Sequence, residues 1–318
     1  MLIVNLIACL ISCTPDKKHI TVIEPSLEQA DTNNLKGSNA GEPVFVATPE
    51  DFKRQIANSG RIENVEYPTN GTNKTALVYL PYQYDSNKKY DILYLMHGAG
   101  GNNSTLLGNA NRFTTLKYVI DNLIERKIIK PLIVVTPTIS GMNGAGVFPV
   151  ELKNNLVPAV ENKYSTYAEN TSEEGLIKSR NHRAFGGFSM GSTTTWFVML
   201  NNLSYFRNFI PVSGDCWAIE QMGGVRKAKE TAELLANSVK EQGYSANDFF
   251  IFAATGSEDI AHEGLTNQIE EMKKLTDTFI YDYDTSKGSL FYLDVQGGLH
   301  DYEWVTDYLY VILPHIFE

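Results

Sequence analysis

The strongest constraint in this 318-residue sequence is a series of short, almost wholly apolar runs separated by longer amphipathic ones. "YDILYLMHG" (90–98), "PLIVVTP" (131–137), "RAFGGF" (183–188), "FRNFIPVSG" (206–214), "FFIFAATG" (249–256) and "SLFYLDVQGG" (289–298) lack the apolar–polar alternation of a strand with one wet face. Such runs fit strands covered on both sides. Between them, "FTTLKYVIDNLIER" (113–126), "VELKNNLVPAVENKY" (150–164), "TTTWFVMLNNL" (193–203), "AKETAELLANSVKE" (228–241) and "TNQIEEMKKLTD" (266–277) have helical periodicity. "TALVYLP" (75–81) reads as one more strand. Strands alternating with helices predict an α/β fold with a mainly parallel central sheet and helices on both faces. No repeat or low-complexity block divides residues 43–318, so a single domain is expected there.

In an open parallel sheet, functional residues gather just beyond the carboxyl ends of the strands. Gly187-Phe188-Ser189-Met190-Gly191 follows such a run and precedes a helix, matching the G-x-S-x-G nucleophile elbow. The tight turn needs its glycines, and the serine faces the positive end of the next helix. Ser189 is therefore a candidate nucleophile; the plainer alternative is a structural turn. It needs a base, and the chain has six histidines. His19 and His315 lie near the termini, His182 is at the wrong end of a strand, and His97 is followed by glycines that suit another role. His262 falls on a lip. His300, in the Gly-Gly loop after the last strand, is the position that fits.

The acid that orients this histidine should come from an earlier strand end. Asp259 is preferred on its spacing from Gly256, Glu258 is the nearest competitor, and Asp215 is a reserve more suited to fixing a loop. The negative oxygen of an acyl-transfer transition state needs two backbone N–H donors. Met190 supplies one; the loop after "YLMHG" supplies the other, with Ala99 preferred and Gly98 and Gly100 as alternatives. The scheme calls for no cofactor and no metal: there is no HExxH, and "AHEG" (261–264) carries one histidine and one glutamate.

A formal charge of −10 without a basic run argues against nucleic acid as a partner. "MLIVNLIACLISC" is too short to span a bilayer. Its Leu10-Ile11-Ser12-Cys13 end resembles a bacterial lipobox, although no Lys or Arg precedes the apolar run. The expectation is a signal peptide over 1–12, lipidation of Cys13, a polar tether over 13–42, and an exported protein anchored on the periplasmic or cell-surface side. The folded part keeps one cysteine, Cys216, which cannot form an internal disulfide and reads as a small core or pocket residue.

From "GRIENVEYPTNGT" to the C-terminus, the chain resembles carbohydrate esterase family 1 of the α/β-hydrolase superfamily, and in particular the feruloyl esterase domains of bacterial cellulosomal xylanases. "YLPYQYDSNKKYDILYLMHG", "PLIVVTPT", "KYSTYAE", "HRAFGGFSMG", "SGDCW", "FAATGSEDIA" and "SKGSLFYLDVQGGLHDYEWV" carry the similarity. The resemblance implies an α/β-hydrolase fold, a Ser189–His300–Asp259 triad with Asp259 chosen over Glu258, and Trp217 lining an aromatic acyl pocket. It also implies that Ala261 shapes the same cleft, where Gly98 and Asp215 are further substrate-binding candidates. Two local departures are Ala99 in "HGAGGNN" and "DYEW" after His300. The expected activity is hydrolysis of feruloyl esters on arabinoxylan by a monomer. The alternatives are an acetylxylan esterase of the same family and a catalytically silent carbohydrate-binding lipoprotein.

Overall fold

Each strand-like apolar run between residues 75 and 298 becomes a strand of one sheet. The computed structural model describes residues 42–317 apart from positions 70, 140 and 142, all within one compact unit. Cys13, the 1–12 segment and the tether as far as residue 41 lie outside the described residues.

In chain order the strands are β1 (Arg61–Thr69), β2 (Thr72–Leu80), β3 (Asp91–Met96), a two-residue ladder of β4 (Gly108–Asn109) and β5 (Arg112–Phe113), β6 (Leu132–Thr136), β7 (Arg183–Phe188), β8 (Asn208–Val212), β9 (Phe250–Gly256) and β10 (Leu290–Val295). The helices are α1 (Thr115–Glu125), α2 (Gly144–Glu151), α3 (Val157–Lys163), α4 (Glu173–Lys178), α5 (Met190–Asn202), α6 (Gly223–Arg226), α7 (Ala228–Glu241), α8 (His262–Met272) and α9 (Tyr302–Ile312). The main sheet runs β1-β2-β6-β3-β7-β8-β9-β10. β1–β2 and β2–β6 pair antiparallel, and every later neighbour is parallel.

Side chains of each central strand divide between two cores. Ile92, Tyr94 and Met96 of β3 join one that includes Phe148, Trp196, Leu235 and Ile269 from the α2, α5, α7 and α8 side. Leu93 and Leu95 join the other, with Val119 and Ile120 of α1 and Leu309 and Ile312 of α9. Helices thus cover both faces, which is why the strands lack alternation. Cys216 is wholly buried in the first core, and burial pushes its thiol up to about 12.

Several elements differ from the sequence-based expectation. β1 and α9 went unread: β1 is an edge strand of mixed polarity, and α9 follows the His300 loop with only its cap, Asp301, between. The single helix expected over 150–164 is instead α2, a π-helical turn over Leu152–Leu156, and α3. Pro158 sits in the first turn of α3, where its missing N–H removes one bond to the preceding turn. α8 starts at His262, four residues earlier than expected, directly after the loop that carries Asp259.

Beneath the sheet, α3 contributes a buried carboxylate to the base of β7. Arg183 donates through Nε and Nη2 to the two oxygens of Glu161, at 2.6 and 2.9 Å. Tyr94 and Thr166 hydroxyls also donate to Glu161, so all of this buried charge is hydrogen-bonded. The strand that leads to Ser189 is thereby anchored at its amino end.

Candidate active site

Ser189 stands between β7 and α5 with φ 55° and ψ −112°, in a backbone region that side chains other than glycine's rarely occupy. The surroundings impose this bend. A β-carbon on Gly187 would lie 2.6 Å from the Gly191 carbonyl carbon, and one on Gly191 would collide with the Met96 carbonyl oxygen at the end of β3. The two glycines of the pentapeptide are therefore required by close approach. The Ser189 N–H donates to Val212 O of β8 (2.9 Å), and Thr193 N–H donates to Ser189 O as α5 begins (3.0 Å).

Three strand ends meet at the Ser189 side chain. His300 Nε2 lies 2.9 Å from Ser189 Oγ, and His300 Nδ1 lies 2.7 Å from Asp259 Oδ1. A carboxylate can only accept, so Nδ1 carries the imidazole proton and Nε2 is left to accept from the serine hydroxyl. Asp259 Oδ1 also accepts from the Ala261 N–H at 2.7 Å. Burial works to raise the Asp259 pKa. Hydrogen bonds from His300 and Ala261, with help from the Ser213 hydroxyl, outweigh it and hold the carboxyl below its ordinary value.

The loops after β9 and β10 are tied together, which sets the His300–Asp259 distance. Glu258 N–H donates to Gly298 O (3.1 Å), Ser257 N–H to Val295 O (2.8 Å), and Gly297 N–H to Ser257 Oγ (2.9 Å). Asp301 then caps α9, accepting from the Glu303 and Trp304 N–H groups at 2.9 and 3.0 Å. His300 is thus held between a glycine turn and a helix cap. Phe188, the residue before Ser189, packs on its ring with centroids 4.6 Å apart.

The competing acids fall elsewhere. Glu258 is exposed and makes no hydrogen bond to His300. Asp215 spends its oxygens within its own loop, accepting from Trp217 Nε1 (2.9 Å) and from Gly224 N–H (2.7 Å). Burial raises its carboxyl pKa and these donors oppose the rise. Asp215 therefore shapes the loop that presents Trp217. That half-buried ring borders a cavity of about 290 Å³ with Asn143, Ala145, Gly146, Thr193, Phe197 and Gln221. Thr193 is one helical turn beyond Ser189. Ala261 is placed by its N–H bond to Asp259, so its backbone serves the acid.

At the oxyanion loop the alternatives separate. Met190 is the first residue of α5, so its N–H has no acceptor within the helix. Gly98 lies against Ser189, since a β-carbon there would be 3.3 Å from Ser189 Cβ. Its N–H, however, donates to Tyr302 Oη at 3.0 Å and is not available to a substrate oxygen. The Gly101 N–H turns back to Gly98 O (3.1 Å). Ala99 is exposed, and its N–H has no acceptor among the described residues. The buried His97 ring lies behind this loop, Nδ1 2.7 Å from Gly98 O, and burial lowers its pKa against the opposing pull of that bond. Tyr302 was missed in the sequence, where only the histidine of "HDYEW" stood out.

An elbow after the central β7 of a mainly parallel sheet, with a histidine and an acid delivered from later strand ends, is the arrangement of the α/β-hydrolase fold. The chain belongs to the Esterase family, whose pattern matches residues 68–316. It is 44% identical over 271 residues to endo-1,4-beta-xylanase Y of Acetivibrio thermocellus, an alignment covering 85% of this chain and 24% of that protein. It is 28% identical over 282 residues to an endo-1,4-beta-xylanase/feruloyl esterase of Xylanibacter ruminicola, covering 78% of this chain and 36% of that protein. The chain therefore spans about a quarter to a third of the length of these curated relatives. Among solved structures, a serine-to-alanine mutant of the feruloyl esterase module from Clostridium thermocellum, complexed with sinapinate, superposes with a TM-score of 0.80 at 42% identity. That match covers 86% of this chain and 94% of the module. A ferulic acid esterase from Anaeromyces mucronatus shares the fold, with a TM-score of 0.62 at 16% identity, over 86% of this chain and 98% of that one.

Proposed function

We propose that this protein hydrolyses feruloyl and related hydroxycinnamoyl esters on plant cell-wall arabinoxylan, with Ser189 as nucleophile, His300 as general base and acid, and Asp259 as its orienting carboxylate. The observation that carries the reading is the unbroken hydrogen-bond line from Ser189 Oγ through His300 to Asp259. Substrate choice is supported by the feruloyl esterase module at 42% identity and by the Trp217 cavity, which suits a planar aryl group. Exposed Ile260 and Leu299, adjacent to Asp259 and His300, add an apolar lip.

In the first half-reaction the Ser189 proton moves to His300 Nε2 as Oγ bonds to the ester carbonyl carbon. The carbonyl oxygen takes the negative charge and meets the N–H groups of Met190 and Ala99. The bond to the sugar oxygen breaks, His300 returns the proton to that oxygen, and the acyl group stays on Ser189. Water then gives a proton to His300 and adds to the acyl carbon. Collapse releases the hydroxycinnamate and reprotonates Ser189. Asp259 keeps its charge throughout and stabilises the imidazolium.

Turnover of methyl ferulate, feruloylated arabino-oligosaccharide and acetylated xylan, with Ser189→Ala as control, tests this. Faster release of acetate than of ferulate overturns the substrate assignment, and turnover by Ser189→Ala overturns the nucleophile. Anchoring of the exported protein through a lipid on Cys13 is a separate part of the proposal, supported by Leu10-Ile11-Ser12-Cys13. Palmitate incorporation that persists in Cys13→Ala refutes it.

A further inference from the structure

The loop that offers Ala99 is gripped from two sides, and one grip comes from the segment that carries His300. Both peptide planes flanking Gly98 are held. The 97–98 plane is held by the Gly98 N–H bond to Tyr302 Oη, at 3.0 Å. The 98–99 plane is held through Gly98 O, which accepts from His97 Nδ1–H (2.7 Å) and from the Gly101 N–H (3.1 Å). In a trans peptide the C=O of one residue and the N–H of the next point in opposite directions. Fixing Gly98 O against His97 therefore sets the direction of the Ala99 N–H, the proposed oxyanion donor. Gly98 has no side chain to restrain it, so these bonds are what define its conformation.

Tyr302 is two residues beyond His300, in the first turn of α9. Its ring meets Phe188 edge-on with centroids 4.9 Å apart, and the opposite neighbour of Phe188 in this cluster is His300, at 4.6 Å. Burial raises the Tyr302 phenol above its ordinary value, partly offset by the Gly98 bond, so the hydroxyl is neutral at neutral pH. A neutral hydroxyl accepts from the Gly98 N–H while keeping its own proton.

We propose that Tyr302 is a positioning residue for the oxyanion hole, locking the Gly98 peptide so that the Ala99 N–H is aimed when the base loop is in place. Base and oxyanion donor are thereby coupled through one short segment, His300 to Tyr302. This rests on the reading of Ser189 as the nucleophile.

Tyr302→Phe is the discriminating variant, because it keeps the ring on Phe188 and removes only the acceptor. Rates are measured with p-nitrophenyl acetate and divided by the sites counted from the p-nitrophenol burst, so unfolded protein drops out. The expected result is a fall in kcat of roughly tenfold with KM changed less than twofold, below the hundred- to thousandfold loss for deleting a whole donor. Affinity for phenylboronic acid, whose adduct with Ser189 is tetrahedral, should fall by the same factor, while affinity for ferulate is unchanged. A kcat and boronate affinity within twofold of wild type overturn the proposal, as does a loss confined to KM or shared equally by ferulate. Failure of the underlying reading looks different: wild type gives no burst, or Ser189→Ala retains turnover.

Discussion

Replacing Asp259 by asparagine tests the proton path most directly. Oδ1 of Asp259 accepts two hydrogen bonds of 2.7 Å, from His300 Nδ1–H and from the Ala261 N–H. With its carbonyl oxygen at the Oδ1 position, asparagine keeps both bonds but carries no charge, so the imidazolium that forms as His300 takes the serine proton loses its counter-charge. With its amide nitrogen there instead, it offers His300 no acceptor, and the imidazole proton moves to Nε2, where the histidine cannot accept from Ser189 Oγ. Replacing the aspartate of a serine–histidine–aspartate triad by asparagine lowers kcat about 10⁴-fold. That is ~5 kcal/mol of transition-state stabilisation. The assay is kcat with p-nitrophenyl acetate and methyl ferulate between pH 5 and 9, alongside Glu258→Gln. Exposed Glu258 has no bond to His300, so its variant should stay within twofold of wild type. Activity of Asp259→Asn within tenfold of wild type, or a larger loss in Glu258→Gln, would falsify the assignment of the acid.

Trp217→Ala should lower kcat/KM for methyl ferulate by roughly tenfold or more while changing p-nitrophenyl acetate less than threefold, since an acetyl group does not reach an aromatic wall; equal losses on both esters refute the pocket reading. Glu161→Gln leaves Arg183 buried without its counter-charge and should cost about 3–5 kcal/mol in denaturant unfolding, and a loss under ~1 kcal/mol shows that the anchor below β7 is dispensable. His315 is buried, which pulls its pKa from 6.5 to about 4, so its neutral form is bound up with folding. The sign follows: this contribution is complete above pH 6.5 and is lost as pH falls towards 4, up to ~3 kcal/mol. Buried His97 adds to the loss below pH 6.5, whereas the contribution of hydrogen-bonded Asp259 is intact there and is lost only below its ordinary value of 3.8. Unfolding free energies at pH 7 and pH 4.5 check this, and an equal pH slope in His315→Gln removes His315 from the account.

Composition and spacing alone placed Ser189, Asp259 and His300 at strand ends, because a strand covered on both faces is apolar throughout and chemistry can begin only where it stops. The parallel sheet and its two helical layers were legible for the same reason. Spacing from Gly256 favoured Asp259 and left Glu258 as a competitor, because adjacent residues in a loop differ only in where the backbone points them; contact with His300 distinguishes them in the structure. Ala99 was likewise preferred with Gly98 as an alternative, and what separates their N–H groups is that Tyr302, 204 residues further on, occupies that of Gly98. β1 escaped because polar residues interrupt its apolar positions along the edge of the sheet. Local pattern therefore determined the class of fold and the candidates for the reactive side chains. Tertiary structure decided which donors are free and which are spent, since hydrogen bonds between segments distant in sequence leave no periodic trace along the chain.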